Sequence, residues 1–166
     1  MEALGRLFDV SVGCVPTDAV AGAITGKRVS LAGAGGVTIV VVTTGTSTDI
    51  TDVDLQQHTA ASGGSPADLD IIDHYYYKSA SALDGTQTWM RATQTAASEI
   101  TDVGAASQQL LLVIEVEAEQ LSDGYSYVSL DIPDLGTNGT RHCSILYFLR
   151  DLKVMRKAAN MPAPLR

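Results

Sequence analysis

Three histidines are the residues of this chain best suited to acid–base or metal chemistry. His58, His74 and His142 are the only ones in the sequence, and none lies in a metal-binding pattern such as His-Glu-x-x-His. His74 follows Asp73 and precedes three tyrosines. Neighbouring residues of a regular strand point to opposite faces, so we expect no catalytic pair from Asp73 and His74. The expected role of each histidine is structural.

Closely spaced carboxylates are the second group with chemical potential. Asp49, Asp52 and Asp54 carry oxygen ligands suited to calcium, although the Gly and closing Glu of an EF-hand loop are missing, so a cation there stays an open alternative. Glu115 and Glu117 share one strand face about 7 Å apart, a spacing that suits paired carboxylates and equally a solvated strand end. We expect no enzyme activity, no cofactor and no metal.

The two cysteines, Cys14 and Cys143, both lie in apolar stretches and form no metal-ligand spacing. The sequence predicts buried free thiols, and the alternative is one disulfide between the terminal segments.

Length and composition limit the class of protein. The 166 residues suit one domain, and 45% hydrophobic residues are enough for a core. A net charge of −8 and a pI near 4.6 disfavour nucleic acid as a partner. No apolar run approaches the roughly 18 residues that span a bilayer, so no membrane partner is expected.

The charge is unevenly placed along the chain. Residues 29–140 carry fifteen acids and two bases, whereas residues 141–166 carry six bases and one acid. An acidic body therefore ends in a basic tail, which is either a solvated terminus or an arm that lies on an acidic surface.

Period-two alternation of apolar residues dominates the pattern and predicts an all-β chain. The fold class is an antiparallel β-sandwich or a small, jelly-roll-like β-barrel, with a globular domain over 1–150 and an extended C-terminal arm over 151–166. The predicted strands are Leu7–Cys14, Arg28–Leu31, Val37–Thr43, Val53–His58, Ile71–Lys78, Thr88–Gln94, Gln108–Ala118, Tyr125–Ile132 and Cys143–Leu149.

The segments between these strands predict turns and loops. The glycines of 32–36 favour a reversal between two strands, because a phosphate-binding loop requires a helix after it. Leu83–Thr86 predicts a hairpin turn, since Asp-Gly suits left-handed backbone positions. Residues 59–66 predict an exposed loop, and Ala118–Ser122 a helical turn.

Five segments resemble small head proteins of tailed bacteriophages. These are Gly36–Val42, Leu55–Gly64, Ile71–Lys78, Asp123–Asp131 and Met161–Arg166. The resemblance implies an auxiliary capsid protein of the decoration or cement type, which binds the outer surface of the virion capsid and has no catalytic residue. Its expected partners are the major capsid protein, across capsomer junctions, and its own copies, as a homotrimer or alternatively a dimer.

On this interpretation the basic C-terminal arm makes the contacts with the shell or a neighbouring subunit. The expected contact residues are Arg150, Lys153, Arg156, Lys157, Met161, Pro162 and Leu165. The first alternative is another virion component, such as a tail-tube, neck or receptor-binding part. The second is an enzyme or a ligand-binding β-barrel that uses the acidic and aromatic residues around Asp73 to Tyr77.

Overall fold

Eleven β-strands and two short 3₁₀ turns make up the regular structure of the described residues. The structure is a computed structural model that describes residues 3–49 and 51–165. The strands are β1 Phe8–Asp18, β2 Val29–Ser30, β3 Gly36–Thr43, β4 Thr51–His58, β5 Ala67–Asp68, β6 Ile72–Ala80, β7 Met90–Ala97, β8 Glu99–Val103, β9 Gln109–Glu117, β10 Tyr127–Asp131 and β11 His142–Arg150. The 3₁₀ turns are Ala118–Gln120 and Ala158–Asn160.

The strands form two antiparallel sheets. The large sheet has the order β1-β11-β3-β9-β6-β7, and the small sheet has the order β2-β10-β4-β5, with β8 also paired to β4. The first strand therefore lies beside the last one, and most neighbours in a sheet are distant in sequence.

The core lies between the two sheets because each apolar side chain that alternates inward meets one from the opposite sheet. Ile39, Leu112 and Ile145 of the large sheet are fully buried, as are Leu55 and Leu130 of the small sheet. This arrangement confirms a β-sandwich; the sheets do not close into a barrel.

Every strand predicted from alternation is present, with ends that differ by a few residues. The two that the sequence did not predict are β5, which is only two residues long, and β8, which begins two residues after β7 ends. Short strands carry too few alternating positions to show a period. The reversal at 32–36 and the helical turn at 118–120 are also as predicted. Strands β6 and β7 form an antiparallel pair, but residues 81–89 connect them, a longer loop than the tight turn predicted at Leu83–Thr86.

Residues 151–165 contain no strand, as predicted, but they do not project away from the globular domain. We call residues 151–165 the C-terminal segment; Arg166 of the predicted arm lies outside the described residues. The backbone N–H of Lys153 donates to the Gly33 carbonyl at 3.0 Å, and that of Arg156 donates to the Gly5 carbonyl at 2.7 Å. The segment thus folds back along the globular domain.

Candidate protein-binding surfaces

The Asp73 and His74 side chains are in contact, which corrects the expectation from the sequence. His74 Nδ1 lies 2.5 Å from Asp73 Oδ1, and this hydrogen bond lowers the pKa of the Asp73 carboxyl. The pairing of β6 with β7 shifts register between Ile72 and His74. Such a bulge interrupts the alternation of faces on which the sequence argument relied. The Tyr76 ring meets the His74 ring edge-on, with centroids 5.8 Å apart.

The other two histidines lie on different strands, one buried and one exposed. His58 Nε2 lies 2.8 Å from the Ser129 hydroxyl, and the His58 side chain is buried. Burial lowers the pKa of His58, and the nearby Arg28 charge lowers it further. His142 is exposed at the start of β11, where its backbone N–H donates to the Thr44 hydroxyl.

The three aspartates considered for calcium have separate protein partners. Asp49 accepts hydrogen bonds from Asn138, while Asp52 accepts one from the backbone N–H of Asp102. Asp54 accepts one from the Gln56 amide. Across residues 3–49 and 51–165, no group of three His, Cys, Asp or Glu side chains is placed to hold a metal ion.

Glu117 takes part in an ion pair and is not one half of a carboxylate dyad with Glu115. Arg150 Nη2 lies 2.5 Å from Glu117 Oε1, and Arg150 Nη1 lies 3.0 Å from Asp151 Oδ2. Arg150, predicted to face carboxylates of a partner, is thus neutralised within its own chain.

Both thiols are free and buried, which confirms the main expectation. Burial raises the pKa of the Cys143 thiol to about 12. The disulfide alternative is not formed.

Apart from Arg150, the predicted contact residues divide into two sets. Lys153 and Met161 face the globular domain: Lys153 Nζ donates to the Ala32 carbonyl at 2.8 Å, and Met161 lies against Gly5. The second set is exposed to solvent and comprises Arg156, Lys157, Pro162 and Leu165.

An apolar groove lies beside the C-terminal segment. Its volume is about 320 Å³, and its walls include Leu149, Leu152, Met161 and Pro162. Ser30 and Pro164 also line the groove, and the backbone N–H of Ser30 donates to the Pro164 carbonyl at 2.8 Å. This contact covers part of the open edge of β2, one of the edge strands of the small sheet.

Two exposed apolar side chains precede the basic pair of the segment. Val154 is 56% exposed and Met155 is 71% exposed, directly before Arg156 and Lys157. The segment therefore presents cations beside apolar side chains, a combination found in protein interfaces.

The outer face of the large sheet is a second candidate surface, which the sequence argument did not identify. We use this name for the side chains that point away from the core, namely Phe8, Val10, Val12, Thr38, Val40, Val42, His74, Tyr76, Lys78, Arg91, Thr93, Leu111, Val113, Glu115, Glu117, Ser144, Leu146, Phe148 and Arg150. In β9, Leu111 and Val113 alternate with buried apolar residues, so the sequence already showed that this strand is apolar on both faces. Only the strand order shows that Leu111 and Val113 lie beside the apolar residues of β1, β3 and β11.

Comparison with known proteins identified no relative: no family model, no curated protein and no solved structure matches this chain. Within the described residues, no helix is long and apolar enough to cross a membrane. The fold and the two surfaces define the chain as an antiparallel β-sandwich with candidate sites for protein contacts.

Proposed function

We propose that this chain is a structural virion protein that decorates the outer surface of a phage capsid and stabilises contacts between capsomers of the major capsid protein. The observation that carries the proposal is the C-terminal segment, which presents exposed cations beside exposed apolar side chains. The resemblance of five sequence segments to small phage head proteins supports the same role.

The geometry of the segment suits a contact with a large, ordered partner. Its backbone is hydrogen bonded to the domain at Gly5, Ser30 and Gly33. Because the segment is already ordered in the free chain, little conformational entropy is lost when a partner binds. The side chains of Arg156 and Lys157 remain available for carboxylates of that partner.

Decoration stabilises a shell by mass action. A protein that binds two neighbouring capsomers at once must be released before they separate, so each bound copy lowers the free energy of the assembled state. Many copies with modest interfaces suffice for this effect. The expected arrangement is a trimer at threefold junctions, with a dimer at twofold junctions as the alternative.

The test is binding of the purified chain to capsids of the same phage that lack it, followed by electron cryo-microscopy. Decoration predicts ordered density outside the shell at capsomer junctions, with the C-terminal segment at the contact. Density confined to the tail or portal vertex, or no binding, would overturn the proposal and favour another virion component.

Two variants examine the role of the segment in that assay. Lys157→Glu should weaken capsid binding and reduce its dependence on salt, because a cation that faces an acidic shell is replaced by an anion. Lys27→Glu is the matched control, since Lys27 is also exposed but lies outside the segment. Deletion of residues 154–166 should abolish occupancy; unchanged occupancy would contradict the assigned contact.

A further inference from the structure

A continuous apolar row crosses the outer face of the large sheet. Val12, Leu146, Val40, Val113 and Tyr76 are direct register partners on five successive strands. A solvated sheet face normally carries polar side chains at such positions. The Trp89 ring borders one end of this row, where it lines a shallow pocket with Tyr76 and Val113. The C-terminal segment packs elsewhere, near Gly5, Ser30 and Gly33.

Further apolar side chains extend the row in both directions along the strands. Val10 and Phe148 pair on one side of it, and Val42 and Leu111 pair on the other. Val42 is 40% exposed although it lies in the centre of the sheet. Contiguous apolar surface on the outside of a folded domain marks an interaction site.

The opposite surface of the sandwich shows that apolar exposure is not a general property of this molecule. The outer face of the small sheet carries Gln56, His58 and Ser129, all buried and hydrogen bonded. Arg28 donates to the Ala60 and Gly63 carbonyls and thereby holds the 59–66 loop. That face is polar and lies beside the 59–66 loop, whereas the outer face of the large sheet has an apolar row across its middle with polar side chains around it.

We propose that the outer face of the large sheet is the surface on which a second copy of this chain packs, sheet against sheet, about a twofold axis. Packed sheets of two copies would lie about 10 Å apart, as in the interior of a β-sandwich. In such an isologous interface the same apolar row serves both partners.

The mixed charge of the outer face favours a second copy over a partner whose surface charges are all positive or all negative. The outer face carries three cations, Arg150, Lys78 and Arg91, and two carboxylates, Glu115 and Glu117, while the chain as a whole has a net charge of −8. Two copies of such an acidic chain repel each other except where their own charges nearly cancel. The outer face meets that condition. Because Arg150 and Glu117 already pair within one copy, Lys78, Arg91 and Glu115 are the charges that can pair with opposite charges across a twofold axis.

The area of the face also meets the requirement of a stable dimer. Six strands about 4.8 Å apart, each about eight residues long with a rise near 3.3 Å, project roughly 700 Å² per copy. Two copies then bury about 1,400 Å² or more, within the range of about 1,200–2,000 Å² for stable interfaces. This interface favours the dimer at twofold junctions, the alternative named above, over the trimer at threefold junctions. It does not depend on the proposed capsid role.

The first test is the mass of the purified chain in solution, by sedimentation velocity and light scattering without capsids. We expect a dimer for the wild-type chain and a monomer for Val40→Lys, because a buried unpaired cation opposes packing of the row. Val154→Lys is the matched control and should stay dimeric, since Val154 is exposed outside the sheet. Circular dichroism and thermal melting confirm that the variants are folded.

A second measurement does not depend on disrupting the row. Val42→Cys introduces a thiol on the outer face, while both native thiols are buried. Maleimide labelling of this thiol should slow as the concentration of the chain rises, whereas Ser62→Cys on the exposed loop should be labelled at a constant rate.

Three results would overturn the inference. They are a wild-type monomer at tens of micromolar, a dimeric Val40→Lys variant, and concentration-independent labelling at position 42. Protection of that thiol only when capsids are added would assign the face to the shell protein instead.

Discussion

The hydroxyl of Tyr147 in the large sheet accepts a hydrogen bond from the backbone N–H of Leu130 in the small sheet, at 3.0 Å. Both residues are fully buried. The short strand β2 pairs with β10 only at Tyr127 and Val128, so it supplies no partner for this N–H. The tyrosine thus completes the hydrogen bonding of an edge that the sheet leaves open.

Tyr147→Phe removes that acceptor and leaves a buried N–H group unpaired. We expect the free energy of unfolding to fall by about 1–3 kcal/mol, measured by urea denaturation. Tyr125→Phe is the control, because the Tyr125 hydroxyl has no hydrogen-bond partner among the described residues. Equal effects of the two substitutions would show that the bond between the sheets contributes nothing.

Arg141 is the largest fully buried side chain of the described residues, and its loss should be more damaging. Its guanidinium donates to the Thr51 hydroxyl and the Ser47 carbonyl, both at 3.1 Å, and so joins two segments at one end of the sandwich. Arg141→Ala leaves a cavity and unpaired polar groups, so we expect a loss of about 3–5 kcal/mol.

Thermal melting measures this loss, and a chain of this size should melt about 2–4 °C lower per kcal/mol. Arg141→Lys should recover part of the stability because one cationic donor remains. Arg6→Ala, at an exposed position, should change the melting temperature little. An Arg141→Ala protein as stable as this control would contradict the assigned role.

His58 makes the stability of the fold depend on pH. Its folded pKa lies below the ordinary value of 6.5, so between these two values the unfolded chain binds more protons. The contribution of His58 to the free energy of unfolding should therefore be fully present above about pH 6.5 and decline as the pH falls towards the folded pKa. Burial raises the pKa of Asp131, which acts in the opposite direction: its contribution is present at low pH and is lost as the pH rises through its folded pKa.

The His58 contribution is isolated by comparing urea denaturation of the wild type and His58→Gln at about pH 7.5 and about pH 5.5. The variant should lose less stability on acidification, since it keeps a polar contact to Ser129 without a titrating ring. His142→Gln should behave like the wild type because His142 is exposed. An unchanged pH dependence in His58→Gln would rule out His58 as its source.

The two cysteines should be unreactive in the folded chain. Because the Cys143 pKa is about 12 and its side chain is fully buried, its thiolate is scarce and inaccessible at neutral pH. A thiol reagent should label neither cysteine rapidly under native conditions and both in denaturant. Rapid native labelling at Cys143, identified by peptide mass spectrometry, would contradict the buried position in β11.

Local patterns were sufficient for some of these features. Val128 and Leu130 alternate with polar residues, and such alternation identified their strand without any tertiary information. The Asp73–His74 contact could not be predicted in the same way. It depends on a bulge in the pairing of β6 with β7, and the sequence of one strand does not show which strand it pairs with. The course of the C-terminal segment was missed because its anchors are backbone groups of Gly5, Ser30 and Gly33, which have no residue-specific signal.

The sequence by itself determined the fold class, the positions of the main strands, the buried free thiols and the concentration of positive charge near the C-terminus. Each of these features follows from the types of residues and from the alternation of apolar and polar residues over a short stretch. Both are local properties that do not depend on which distant segments pack together. Only the tertiary structure decided that Val12, Leu146, Val40, Val113 and Tyr76 form one row. Alternation shows that a strand has an apolar face, whereas the order of strands in a sheet depends on long-range pairing that brings residues 12 and 146 together.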